Sequence, residues 1–187
     1  MQKLSNVLCF VSFVGCLLLS GCAMEMNGFS MMDGSPTQNT LDLSDQNRQK
    51  HLSEIEKDLR IVRIEQIDEE TMKLAKAVLL SLKKLDSATS VGVSYRDYPS
   101  YVRNARFEID EFTSHVRSSK IIAGGLIGSF EQCLLPYVHA QLYFKELVQS
   151  QRGSMGESEF KFHLKDNWKT GHQSIALVEK FLFSTEL

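Results

Sequence analysis

Neither sign of charge dominates this sequence, and proline is scarce in it. Its 187 residues include 21 basic and 23 acidic side chains, for a formal net charge of −2, and only 3 prolines. Proteins that bind nucleic acid are usually strongly basic, so this charge balance gives no electrostatic footprint for that function. A hydrophobic content of 43% also excludes a wholly disordered or collagen-like chain. The length is typical of one globular domain.

The N-terminal segment lacks acidic residues. Before Cys22 the only charged side chain is Lys3, and an apolar stretch runs from Leu8 to Leu19. A basic start followed by a short apolar segment and small residues is typical of a secretory signal peptide. The apolar stretch is shorter than the roughly 20 residues that a membrane-spanning helix needs. We therefore predict a signal peptide over residues 1–21; the alternative is an uncleaved anchor helix.

The end of this segment, Leu19-Ser20-Gly21-Cys22, resembles the lipobox of bacterial lipoproteins. The resemblance implies that cleavage occurs just before Cys22 and that its thiol receives a diacylglycerol. In lipoproteins of bacteria with two membranes, Asp after the cysteine commonly retains the protein in the inner membrane. Ala23 stands there instead. The resemblance thus predicts a lipid-anchored, extracytoplasmic protein, on the outer membrane facing the periplasm if the host has two membranes.

Disulfide bonds are excluded by the same resemblance. After cleavage only Cys22 and Cys133 remain, and Cys22 carries the lipid. No intramolecular disulfide can form, so we expect a packed core to stabilise the fold.

The next segment, residues 22–47, has no sustained helical or strand period, and we predict a flexible tether there. Such a chain has a root-mean-square reach of roughly 25–30 Å. Its methionines are an alternative set of soft metal ligands, although their spacing is irregular: Met24, Met26, Met31 and Met32.

The rest of the chain, residues 48–187, shows helical periodicity and no convincing strand pattern. The first helix is predicted from Asp45, where apolar residues begin to recur at spacings of three and four. Further helices are predicted to start near Asp68, Asp97, Gly125 and Glu157. On the third helix the predicted buried residues are Val102, Ala105, Ile109, Phe112 and Val116. We predict an all-α fold, an antiparallel bundle of four to five helices.

Two Glu-x-x-x-His pairs are candidate metal ligands, Glu111 with His115 and Glu159 with His163. Residues four apart share one helix face, so each pair could reach one ion. Carboxylate-bridged di-iron bundles use a Glu-x-x-His spacing instead. Solvated pairs of side chains are therefore the favoured interpretation, and we predict no metal.

His139 and Cys133 lie in the most apolar helical segment. A buried His139 could ligate haem or move protons, but a hydrogen bond to a neighbour such as Tyr143 is the favoured role. Cys133 is predicted to be an inert core residue, because a thiol in apolar surroundings has a raised pKa.

No catalytic motif is present. Gly-x-Ser-x-Gly is absent, and the glycines from Gly124 to Gly128 lack the Gly-Lys-Ser/Thr of a phosphate-binding loop. We interpret Gly124 and Gly128 as sites of close helix packing or of a turn. We therefore predict neither an enzyme nor a cofactor.

Tyr95, Tyr98 and Tyr101 recur at every third residue around the predicted start of the third helix. If exposed, they would form a rigid aromatic strip suited to contact with a partner; if buried, they would cover the end of the bundle.

Together these features predict a lipid-anchored extracytoplasmic helical domain that acts as a binding module in the bacterial cell envelope. Its predicted partners are the membrane, through Cys22, and an envelope protein, through the tyrosine strip. The alternative is a helical bundle that holds a metal, haem or small ligand in its core.

Overall fold

A computed structural model describes residues 38–63, 66–119, 123–149 and 156–184. All regular secondary structure in these ranges is helical, which confirms the predicted all-α bundle. The helices are α1 (Gln38–Arg60), α2 (Glu69–Val91), α3 (Tyr98–Ser119), α4 (Gly124–Gln149) and α5 (Glu157–Phe183). Among these described helices, none is both long and apolar enough to cross a lipid bilayer. The predicted signal peptide, the lipobox and residues 22–37 of the predicted tether lie outside the described residues.

Side-chain caps explain where α2 and α3 begin. Asp68 precedes α2 and accepts a 2.7 Å hydrogen bond from the Thr71 backbone N–H. Before α3, the Asp97 backbone N–H donates to Ser94 Oγ at 3.1 Å, and the Ser94 hydroxyl donates to Asp97 Oδ2 at 2.6 Å. Each cap satisfies N–H groups that have no partner inside the helix. The predicted starts near Asp68 and Asp97 are confirmed.

Helix α1 begins earlier than predicted, at Gln38 rather than Asp45, so residues 38–47 of the predicted tether are helical. This segment has no apolar stripe, and Leu43 is exposed. Arg48 secures it, because its guanidinium lies 2.7 Å from Asp45 on the preceding turn and 2.6 Å from Asp166 on α5. The repeat of apolar residues does not extend into the first turns of α1, so it does not predict them. These turns are polar and are held by the ion pairs of Arg48.

Helix α4 is the centre of the bundle and contacts each of the other four helices. Phe130, Leu134 and Tyr137 on α4 are fully buried. All the predicted core residues of α3 are buried as well: Val102, Ala105, Ile109, Phe112 and Val116. The predicted face of α3 is therefore confirmed.

Two glycines allow helices to approach closely. A Cβ on Gly125 would lie 2.2 Å from the Asp58 carbonyl oxygen of α1, and one on Gly171 would lie 2.3 Å from the Tyr137 ring. Both distances are far below van der Waals contact. A Cβ on Gly128 would lie 2.6 Å from the Asp58 carboxylate, whereas one on Gly124 would meet nothing within 4 Å. Close packing is thus confirmed at Gly128 but not at Gly124.

Candidate functional site

The three tyrosines do not form one exposed strip. Tyr98 is fully buried, Tyr95 is half-buried, and Tyr101 has 36% of its surface exposed. Three residues turn an α-helix by about 300°, so side chains at this spacing move around the helix instead of sharing one face. The predicted partner contact is therefore wrong for Tyr98, and only Tyr101 is exposed at the surface.

Tyr98 instead joins three helices in the core. Its hydroxyl donates to the backbone oxygen of Tyr137 on α4 at 2.9 Å and accepts from Nε1 of Trp168 on α5 at 3.1 Å. The Tyr98 and Phe144 rings meet edge to face, 5.8 Å apart. Burial raises the pKa of the Tyr98 hydroxyl. The residue holds α3, α4 and α5 together and is not available to a partner.

Tyr101 contributes to a surface groove between α2 and α3, which we call the α2–α3 groove. The groove has a volume of about 300 Å³ and is lined by Ala77, Leu80, Ser81, Lys84, Tyr101, Asn104, Phe107 and Glu108. Leu80 is 55% exposed and Phe107 is 58% exposed. Scattered exposed apolar residues are ordinary, but three large ones around one groove are typical of an interaction surface.

One contact between α2 and α3 gives the register of the two helices. His115 Nε2 lies 3.0 Å from Thr71 Oγ1, and the helices run antiparallel because six residues connect them. Counting from this contact, Lys84 on α2 is level with Val102 on α3, next to Tyr101, and Ala77 is level with Ile109, next to Glu108. The α2–α3 groove therefore has a lysine at one end and a glutamate at the other.

The predicted Glu-x-x-x-His pairs lie on different helices and contact different neighbours. His115 on α3 contacts Thr71, as above. His163 on α5 lies 4.0 Å from Glu159 and stacks on the Tyr143 ring, with 5.0 Å between the ring centres. In the part of the chain that the structure describes, no group of three or more His, Cys, Asp or Glu residues is arranged to hold a metal ion.

Of the two residues predicted to be buried in α4, one is in the core and the other is at the surface. Cys133 is fully buried, and burial raises the pKa of its thiol, as predicted. His139 is exposed, so its predicted core role is wrong. Apolar residues occur on nearly all sides of α4, so the sequence does not show which side is exposed. His139 lies on the side that faces solvent next to α1.

His139 borders a second surface cleft, the polar cleft, which was not predicted from the sequence. It has a volume of about 260 Å³ between α1, α4 and α5 and is lined by Ser44, Asn47, Arg48, His51, Leu135, Pro136, His139, Asp166, Asn167 and Thr170. Burial lowers the pKa of His51, and neighbouring His139 lowers it further. The Nε atom of Arg48 and the Nε2 atom of His51 are buried without a hydrogen-bond partner among the described residues.

The sequence carries no local signal for this cleft. Arg48 and Asp166 are 118 residues apart, and their 2.6 Å contact arises only when α1 packs on α5. Because both belong to helices with many other charges, nothing in their spacing distinguishes them.

A chain of polar contacts that runs from the buried Tyr137 to the exposed His172 also joins α2, α4 and α5 at Asp86. The Tyr137 hydroxyl donates to Asp86 Oδ1 at 2.7 Å, and His172 Nδ1 lies 2.8 Å from Asp86 Oδ2. Burial raises the pKa of Tyr137, and the hydrogen bond to Asp86 raises it further. This arrangement satisfies a largely buried carboxylate and fixes the Tyr137 ring against Gly171.

Comparison with protein-family models, with curated proteins and with solved structures finds no significant match. The described residues define an all-α bundle with a surface groove between α2 and α3 that is bordered by three exposed large side chains, Leu80, Tyr101 and Phe107.

Proposed function

We propose that this chain is a lipid-anchored, extracytoplasmic binding module of the bacterial cell envelope, and that the α2–α3 groove is its protein-docking surface. The observation that carries the proposal is the exposure of Leu80, Tyr101 and Phe107 around one groove. Of the three predicted contact residues, Tyr101 is retained in this proposal and Tyr98 is not.

The energetics of burial support this use of the groove. Fully burying an exposed leucine or phenylalanine side chain contributes roughly 1.5–3 kcal/mol. Because Leu80 and Phe107 are a little more than half exposed, covering each contributes roughly half of that, part of which offsets the entropy lost on association. The side chains stand on two packed helices, so the backbone beneath them loses little conformational freedom when a partner binds. Aromatic residues such as Tyr101 and Phe107 also supply large contact area with few rotatable bonds.

The anchor proposed at Cys22 would place this surface at the membrane. Acyl chains contribute about 0.8 kcal/mol per buried CH₂, so two or three chains hold a protein durably. The lipobox resemblance supports an extracytoplasmic site, on the outer membrane facing the periplasm where the host has two membranes.

The positions of the histidines favour this function over the alternative of a ligand held in the core. His115 contacts Thr71, His163 stacks on Tyr143, and His139 is exposed beside the polar cleft. The three side chains therefore have separate surroundings and do not face one common core site.

The test is crosslinking of the full chain in its native membranes. We expect the double substitution Leu80→Ser and Phe107→Ser to abolish recovery of the crosslinked protein while lowering the free energy of unfolding by no more than about 1 kcal/mol, because more than half of each side chain is already exposed. Leu142→Ser is the matched control, since Leu142 is 59% exposed on α4, away from the groove. Equal recovery from the groove variant and the control would contradict the proposed docking surface.

A further inference from the structure

The α2–α3 groove has a positive charge, Lys84, at one end and a negative charge, Glu108, at the other, and this arrangement indicates what binds there. From the contact between Thr71 and His115, Lys84 lies level with Val102, next to Tyr101, and Glu108 lies level with Val78, next to Ala77. Lys84 and Val78 are six residues apart on α2, which corresponds to about 9 Å along the helix. A positive and a negative side chain therefore stand between one and two helical turns apart along the groove, with Leu80, Tyr101 and Phe107 around it.

Neither of these charges is neutralised within the fold. Among the described residues, no acidic group lies within 4.0 Å of the Lys84 ammonium and no basic group lies within 4.0 Å of the Glu108 carboxylate. The adjacent Lys83, by contrast, lies 2.5 Å from Glu179 on α5. The two charges that border the groove are thus available to a partner.

We propose that the occupant of the α2–α3 groove is a second copy of this chain, in a symmetric homodimer. The proposal rests on the proposed function of the groove as a docking surface and names the partner. A two-fold axis across the helices reverses their direction, so that Lys84 of one protomer is level with the partner's Glu108. The same operation brings Glu108 level with the partner's Lys84, and the apolar residues of both copies face each other.

Self-complementarity is what favours a second copy over a different protein. In a two-fold interface every contact occurs twice, so one lysine and one glutamate at opposite ends generate two opposite-charge pairs. A different protein would need its own acidic and basic residues at the same separation. Anchoring of both copies in one membrane would also raise their effective concentration, which favours association of modest surfaces.

Charge reversal tests this arrangement directly. The full lipidated chain is analysed in detergent by sedimentation equilibrium, with Lys84→Glu, Glu108→Lys and the double variant. Each single change places like charges at both symmetric positions, so we expect the dimer Kd to rise about tenfold. The double variant exchanges both signs and restores the opposite-charge pairs, so its Kd should return to within about threefold of the native value. Lys145→Glu, at an exposed position on α4, is the control and should not change the Kd.

Rescue by the double variant distinguishes self-association from the binding of a foreign protein. A foreign partner, or a general effect of charge, would make the double variant no better than the single ones, and that result would overturn the homodimer. So would a native chain that remains monomeric at the highest concentration measured. If the chain is monomeric but Leu80→Ser with Phe107→Ser still removes a different crosslinked protein, the proposed function stands and only this inference fails. If groove variants change neither the Kd nor any crosslink, both fail.

Discussion

At the scale of single residues, Tyr98 has the clearest expected effect. Tyr98→Phe removes a hydroxyl that donates to the Tyr137 carbonyl and accepts from Trp168. Because both partners would then lose a buried hydrogen bond, we expect the free energy of unfolding to fall by about 1–3 kcal/mol in urea denaturation. Tyr101→Phe is the control and should change it by less than about 0.5 kcal/mol, since its side chain is exposed. A loss of less than about 0.5 kcal/mol for Tyr98→Phe as well would show that the Tyr98 hydroxyl does not stabilise the core.

His51 is expected to make stability depend on pH. Burial lowers its pKa in the folded chain, with a smaller contribution from His139, while the Gln132 backbone and Glu54 act in the opposite direction. As the pH falls, His51 in the folded chain is therefore protonated only at a lower pH than His51 in the unfolded chain, which is protonated near pH 6.5. The stabilising contribution is complete above this pH and is lost as the pH falls through the lowered pKa.

His51→Gln removes the titrating group without a large change in size. Between pH 7 and pH 5, we expect the stability of this variant to fall less steeply than that of the native chain, as measured by chemical denaturation at each pH. Parallel slopes for the two proteins would contradict the assignment of this pH dependence to His51.

At the scale of helices, the approach of α4 to α5 depends on Gly171. A Cβ at this position would lie 2.3 Å from the Tyr137 ring, and that ring is also held by Asp86. Gly171→Ala should therefore destabilise the fold by about 1–3 kcal/mol, even though alanine favours the helix by about 1 kcal/mol. The measurement is the thermal unfolding midpoint.

Gly124→Ala is the matched control for this substitution. A Cβ there meets nothing within 4 Å, so we expect an unchanged or slightly higher midpoint. A Gly171→Ala protein as stable as Gly124→Ala would mean that the two helices separate without cost.

Helix boundaries show how far the apolar pattern reaches. The starts of α2 and α3 were predictable because Asp68 and Ser94 are local caps that act within three residues. The start of α1 was not, because its first turns are polar and depend on Arg48 meeting Asp166 across the bundle. The periodicity of apolar residues predicts a helix from its buried face. It does not indicate a helical segment that is stabilised mainly by ion pairs.

At the scale of the whole molecule, the anchor proposed at Cys22 has a direct biochemical test. Cys22→Ser removes the thiol that would accept the lipid, so we expect an unprocessed precursor that incorporates no labelled fatty acid. Cys9→Ser is the control, because Cys9 lies within the apolar segment and should leave labelling unchanged. Continued labelling of the Cys22→Ser protein would refute the anchor.

The sequence by itself determined the fold class and the core face of α3, because helical periodicity and local caps act between residues close in the chain. It also placed Cys133 correctly in the core. Only the tertiary structure decided that Tyr98 is buried while Tyr101 is exposed, and that His139 faces solvent from an apolar helix. The α2–α3 groove and the polar cleft also arise only from the tertiary structure, because their lining residues come from different helices. Which side of a helix is covered is decided by the neighbours that pack on it, and those contacts join residues far apart in the chain.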